Sequence, residues 1–203
     1  MVRRTPLLLI LAVGCQAESL GVDVPKGGPD AISQEDLQRD AWAFGKGDAG
    51  AFEQRLQQMH TLPAFGSSYR SGEVVCGIKD GRSGKSRVIA AEGPAALPRA
   101  EVISLAKAWD LPQPPEHSVV LCAWPDGGAA AYANRPAVPL DSTLGVTVLG
   151  DLSGPALRAT EAGSLGAAPV IHLSTTPAAG APDYRVVAAR VREVYDRVNA
   201  ASP

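Results

Sequence analysis

Residues 118–124 read SVVLCAW, a continuous apolar run that follows Pro112, Pro114 and Pro115 and ends at Pro125. Seven residues are short for a buried helix, and an unbroken run lacks the alternation of a half-exposed strand. The run fits a strand covered on both faces, as in a parallel sheet held between other layers. Neighbouring segments supply those layers. Residues 97–109 place Val102, Leu105, Ala106 and Trp109 on one helical face, and residues 184–198 do the same with Val187, Val191, Val194 and Val198. Ser33, with Glu35 and Asp36 behind it, opens a helix striped by Leu37, Ala41 and Phe44. Gly45-Lys46-Gly47 breaks it, and a second helix from Asp48 carries Phe52, Leu56 and Met59 and is closed by Pro63. Strands are expected at 73–78 (EVVCGI), 86–91 (SRVIAA), 143–149 and 169–173. The Gly-rich charged stretch 79–85 reads as the turn of a hairpin joining the first two. Alternating helices and strands argue for an α/β layered domain.

The N-terminus reads as an address. Arg3 and Arg4 precede the apolar residues 7–13, then Gly14 and Cys15. Seven residues rise only about 10 Å as a helix, far short of a hydrocarbon core of roughly 30 Å. The pattern resembles the lipobox of bacterial lipoproteins, with Ala12 where that family prefers Leu; an ordinary secretory peptide is the alternative. The resemblance implies cleavage before Cys15, acylation of Cys15, and insertion of its lipid in a bilayer. Gln16 in the following position implies sorting to the outer membrane, facing the periplasm. The expected organisation is a signal peptide over 1–14, a lipidated cysteine and flexible tether over 15–32, and one α/β domain over 33–203. In an oxidising compartment Cys76 and Cys122 form either one disulfide or two separate buried thiols.

Composition excludes more than it assigns. Apolar residues at 45% and charged residues at 20% support an ordinary core, and a net charge of −2 without a basic block gives no footprint for nucleic acid. His60, His117 and His172 stand alone, and there is neither HExxH nor CxxC. His172 lies in an apolar strand, which favours a hydrogen-bonded structural role, and His60 suits a helix C-terminus. Residues 81–86 (GRSGKS) resemble a phosphate loop superficially, but they join two strands. Neither Ser153 nor Ser164 forms a nucleophile elbow.

From Ser33 onward the order of segments resembles the di-zinc aminopeptidase and glutamate-carboxypeptidase-like peptidase family. ISQEDLQRDAWAF is similar to the helix that opens those domains, and EVVCGIKDGRSGKSRVIAAEG to their "NVVG…G…VVVGAHYD" strands. PRAEVISLAKAW and PPEHSVVLCAW are similar to the next helix and strand, "AAxLELARAL…PxRTVxFVAF". ANRPAVPLDSTLGVTVLGDLSG resembles the segment ending in "INLDMVG", and the remainder from Pro169 resembles the last strand and helix. The resemblance implies a three-layer α/β/α domain with a mixed sheet, a reduced zinc-exopeptidase-like (phosphorylase/hydrolase-like) fold. It also implies neighbouring strands carrying Cys76 and Cys122, and hence a disulfide between them.

The family's metal ligands are mostly replaced. Its first histidine falls on Glu92 and the following aspartate on Pro94, and the loop that supplies a bridging aspartate is cut to Ala95-Ala96-Leu97-Pro98. The Glu-Glu pair falls on Gly127-Gly128, the aspartate of "NLD" is retained as Asp151, and the last histidine falls near Thr175 or Thr176 and its aspartate near Ala179. Catalytic zinc needs three protein ligands, an open position and a base, and loss of the base alone forfeits about 10²–10⁴ in rate. The implied protein is a catalytically inactive relative with no catalytic residues, no metal and no cofactor, and with Glu92 and Asp151 as remnants of the site. Its function would be that of a lipid-anchored binding or assembly module for an envelope protein partner. The alternative is a zinc aminopeptidase with a site rearranged onto Glu92, Asp126, Asp151 and His172.

Overall fold

The computed structural model describes residues 27–45, 49–59, 62–63, 74–177 and 179–200. The signal segment 1–14, Cys15 and His60 lie outside the described residues. The helices are α1 (Gln34–Phe44), α2 (Ala49–Gln58), α3 (Ala96–Ala108), α4 (Gly128–Asn134) and α5 (Tyr184–Ala200). The strands are β1 (Leu62–Pro63), β2 (Val75–Lys79), β3 (Ser86–Glu92), β4 (Ser118–Trp124), β5 (Thr143–Leu149), β6 (Arg158–Leu165) and β7 (Ala168–Ser174). They form one mixed sheet in the order β1-β2-β4-β3-β5-β7-β6. The four inner strands β4, β3, β5 and β7 run parallel, and β2 and β6 flank them antiparallel.

The architecture is the expected α/β/α sandwich, with layers of unequal depth. On one face α1, α3 and α5 pack a core that includes Leu37, Phe44, Ile89, Val102, Leu105, Leu121, Val191 and Val194. Burying each such side chain contributes about 1.5–3 kcal/mol before entropy. The helices carry the stripes their sequences require: Ser33 accepts from the Asp36 amide at 3.2 Å as the α1 cap, and Val187, Val191, Val194 and Val198 are buried along α5. The other face buries Val88, Ala90, Val120, Val146 and Val148 beneath short α4 and the segment around Ala137 to Leu140. There Trp124 meets Tyr132 at 5.1 Å between rings.

Two expectations change. β2 and β3 are not a hairpin, because β4 inserts between them and pairs with both. The connection instead crosses the start of β4, where the Arg82 and Ser83 amides donate to Pro115 and Glu116 carbonyls. Gly81 makes the crossing feasible: a Cβ there would stand 2.2 Å from the Ser118 nitrogen. The sequence reading also lacks β6 and α4. All but the last residue of β6 are exposed, so it has no apolar period, and α4 is a run of small residues around one buried tyrosine.

Cys76 and Cys122 face each other in the β2–β4 register and form a disulfide, with Cα atoms 4.1 Å apart. Buried Lys79, at the end of β2, donates to the Met59 carbonyl and pairs with Asp110 at 2.6 Å, holding the ends of α2 and α3 to the sheet. Residues 27–32, which fall in the expected tether, pack on the domain. The Gly28 amide donates to the Ala108 carbonyl, Ile32 is fully buried, and Arg192 donates to the carbonyls of Pro29 and Ile32.

Candidate functional site

Chain connections leave the adjacent strands β3 and β5 in opposite senses: β3 leads through α3 to β4 on one side, and β5 leads to β6 and β7 on the other. In open α/β sheets ligands bind outside the carboxyl ends of the strands at such a reversal. Here that edge is built from Glu92 at the end of β3, residues 124–128 after β4, residues 150–154 after β5 and Thr175 after β7.

Two acidic groups at this edge, Glu92 and Asp151, accept from backbone amides. Glu92 Oε1 accepts from the Gly128 amide at 3.1 Å, which fixes the start of α4 over β3. Gly93 follows in the left-handed region (φ +82°), its amide bonded to the Trp124 carbonyl, and a Cβ there would lie 2.7 Å from Asp126 Oδ1. Asp126 itself is exposed. Asp151 Oδ1 accepts from the Ser153 amide at 2.7 Å, and the Asp151 carbonyl receives both the Thr175 amide and its hydroxyl. Thr175 Oγ1 in turn accepts from the Gly154 amide at 2.7 Å, so the loops after β5 and β7 are laced together.

The residue that sequence reasoning missed is Glu101. It is fully buried on α3, Oε1 accepts from the Leu152 amide at 3.2 Å, and Oε2 has no hydrogen-bond partner. Burial pushes its carboxyl well above the usual range, and the nearby Asp151 charge pushes the same way. Its signal in the sequence is an acid between Ala100 and Val102 on a helix apolar nearly all round.

The remnant pair and the rearranged site separate accordingly. Glu92 gathers with Asp126 and Gly128, and Asp151 with Glu101, whereas His172 sits inside β7 opposite Val148. Among the described residues no group of three or more His, Cys, Asp or Glu side chains could hold a metal ion. A zinc centre needs lone pairs converging at about 2 Å, and two of these carboxylates already cap amides while burial disfavours the charged form of a third, Glu101. The residues at this edge do not fit catalytic zinc.

Beside the edge lies a groove of about 620 Å³, walled by Gln38, Arg39 and Trp42 of α1, Leu97 of α3 and Tyr184 of α5. Trp42 is 67% exposed, the one large hydrophobic side chain left exposed among the described residues.

Solved structures with this arrangement include a Zn-dependent exopeptidase from Parabacteroides distasonis (TM-score 0.63, 11% identity, 87% of this chain and 99% of that chain). The fold is zinc-exopeptidase-like. A leucine aminopeptidase precursor from Bacteroides thetaiotaomicron aligns with TM-score 0.63 at 10% identity, over 89% of this chain and 99% of that chain. A glutaminyl cyclase of the same organism, bound to N-acetylhistamine, aligns with TM-score 0.62 at 11% identity, over 89% of this chain and 100% of that chain. At such identities the likeness is one of fold. No family model and no curated protein matches the sequence.

Proposed function

We propose that this chain is a lipid-anchored cell-envelope protein whose zinc-exopeptidase-like domain serves as a binding or assembly module without peptidase chemistry. The observation that carries this reading is the dispersal of the edge acids: Glu92 and Asp151 each accept from a backbone amide, Glu101 is fully buried, and among the described residues no three His, Cys, Asp or Glu side chains converge. A general base needs a free lone pair aimed at water, and a metal needs several. The groove bearing Trp42, Arg39 and Tyr184 supports the binding role, because Trp, Tyr and Arg are the side chains that dominate protein interfaces.

Anchoring rests on the lipobox-like run ending at Cys15. The chain enters the domain beside Ala108, the last residue of α3, and α3 begins just beyond the end of β3. A tether from Cys15 thus reaches the domain at the end opposite the strand carboxyl edge.

The test combines fractionation with activity. In cells, Cys15→Ser is expected to shift the full chain from the membrane to the soluble fraction. The purified full chain with added zinc is expected to leave aminoacyl-p-nitroanilides and N-terminal glutaminyl peptides unchanged. Zinc-dependent turnover abolished by Asp151→Asn would overturn the module reading in favour of a zinc aminopeptidase using Glu92, Asp126, Asp151 and His172. Unaltered membrane partitioning of Cys15→Ser would overturn the anchor.

A further inference from the structure

The two edges of the sheet are finished differently. β1 is two residues long and ends at Pro63, which has no amide proton to offer. β6 is eight residues long, and all of it but Leu165 is exposed. Among the described residues its backbone pairs with β7 alone, so its outer row of amides and carbonyls is open. A bulge between Glu161 and Ser164, with Gly163 in the left-handed region (φ +89°), interrupts the ladder and leaves residues 158–161 as its regular stretch. That stretch contains no proline to block pairing.

Beside this edge lies a cleft of about 550 Å³ between α5, β5 and β7. Leu144, Ile171, Leu173 and Val198 stand in its walls, and Ala159 of β6 lines its outermost side. Arg197 in its lining is paired with Glu193 at 2.7 Å and Arg87 is partnered too, so the cleft offers apolar surface rather than an uncommitted charge. Register sorts the side chains of β6 between two faces. Ala159 is opposite Leu173 and Glu161 opposite Ile171, which places both on the cleft face. Arg158 and Thr160, opposite Ser174 and His172, lie on the other face. Arg158 and Glu161 are exposed, and neither forms an ion pair among the described residues.

We propose that β6 is a docking edge for an extended peptide segment of a partner protein, which adds as an antiparallel strand and lays a large apolar side chain over Ala159 into the cleft. The inference deepens the binding-module reading and rests on it. Main-chain hydrogen bonds along an open edge supply the affinity of such pairing, and pockets for alternate side chains supply its specificity. Antiparallel pairing is the more stable per residue. An added strand lies about 4.8 Å outside β6, so its residue opposite Ala159 stands about 10 Å from Leu173. Alanine leaves that path clear, and a phenylalanine ring covers it and meets the cleft wall beyond. Charge sets the flanking residues. A lysine two positions before the phenylalanine is opposite Glu161, and an acid one position after it is opposite Arg158. A threonine between lysine and phenylalanine is opposite Thr160, so the complementary core reads Lys-Thr-Phe-Glu.

The experiment titrates the full chain carrying Cys15→Ala, which cannot be acylated, into a short capped fluorescent peptide with this core and follows anisotropy. Saturable 1:1 binding is expected. Alanine in place of the peptide's phenylalanine is expected to weaken binding at least about tenfold. Glu161→Lys is expected to weaken it about fivefold and to favour a peptide with glutamate in place of the lysine, a reversal that a merely structural role of Glu161 would not produce. Ala159→Trp, at an exposed position, is expected to leave the thermal transition unchanged and to abolish the dependence on phenylalanine. Absence of saturable binding overturns the proposal, and so does binding indifferent to either the phenylalanine or Glu161→Lys. A dimer in sedimentation that Glu161→Lys dissociates, with no peptide bound, assigns the edge to a second copy instead. The mass of the recovered peptide keeps the two readings apart: a shortened peptide overturns the module reading, whereas an intact and unbound one overturns only the docking edge.

Discussion

Replacing Cys76 and Cys122 together by alanine tests how the antiparallel edge is held to the parallel core. The bond closes a loop with a sequence separation of 46 residues and ties β2 to β4 across directly opposed positions. In the chain-entropy model, closing a loop of that size lowers unfolded-state entropy by about 13.5 cal/mol/K, or about 4 kcal/mol at 25 °C. Both side chains are buried, at 5% and 0% exposure, so the alanine pair also leaves a void lined by Val120, Trp124 and their neighbours. The direct comparison is therefore oxidised against reduced wild-type chain, which keeps both sulfurs. With a urea slope of roughly 2–3 kcal/mol/M, the midpoint is expected to fall by roughly 1–2 M on reduction, and slightly further in the double variant. Coincident midpoints for the oxidised and reduced chains would refute the entropic reasoning. Two thiols that alkylate in the native protein without reductant would refute the bond itself.

Three other substitutions probe separate parts of the structure. Lys79→Met leaves the Asp110 carboxylate facing an apolar side chain and frees the Met59 carbonyl, so a loss of about 3 kcal/mol is expected, measured as a drop in thermal midpoint of roughly 6–12 °C. Glu101→Gln removes a titration. The folded chain keeps the Glu101 proton above the ordinary value of 4.5 while the unfolded chain releases it there. The Glu101 contribution to stability is therefore fully present below pH 4.5 and declines as pH rises toward the folded value. The glutamine variant is expected to lack that decline in urea titrations across pH; parallel curves would contradict a buried neutral acid. Gly81→Ala forces the crossover away from the Ser118 backbone and is expected to cost about 2 kcal/mol or more in urea unfolding, whereas a solvated hairpin turn would absorb alanine without loss.

Much of the fold was legible where burial imposes a pattern. β4 and β5 carry apolar runs, α1, α3 and α5 carry stripes, and the expected ranges for β4 and β5 coincide with the observed ones. What failed was non-local. Short spacing suggested that β2 and β3 pair, yet the six residues between them can step over one strand, and strand order depends on which edge the crossing helix α3 returns to. β6 is held by β7 alone with its side chains in solvent, so no period marks it. At the candidate site, Glu92 and Asp151 were identified only through the resemblance, and nothing local indicated that each would cap an amide. Glu101 carried a local sign, a lone acid in an apolar helix, whose meaning depended on the loop after β5 folding over it. Trp42 stood outside the Leu37, Ala41 and Phe44 stripe, and that position on α1 is why it is exposed.

The central claim is that a zinc-exopeptidase-like scaffold is present without its metal centre. Elemental analysis of the purified full chain, before and after incubation with excess zinc and desalting, tests it most directly. Close to zero equivalents in both samples is the expected result, because no three potential ligands converge among the described residues. One or two equivalents retained after desalting, and lost in Glu92→Gln or Asp151→Asn, would contradict it.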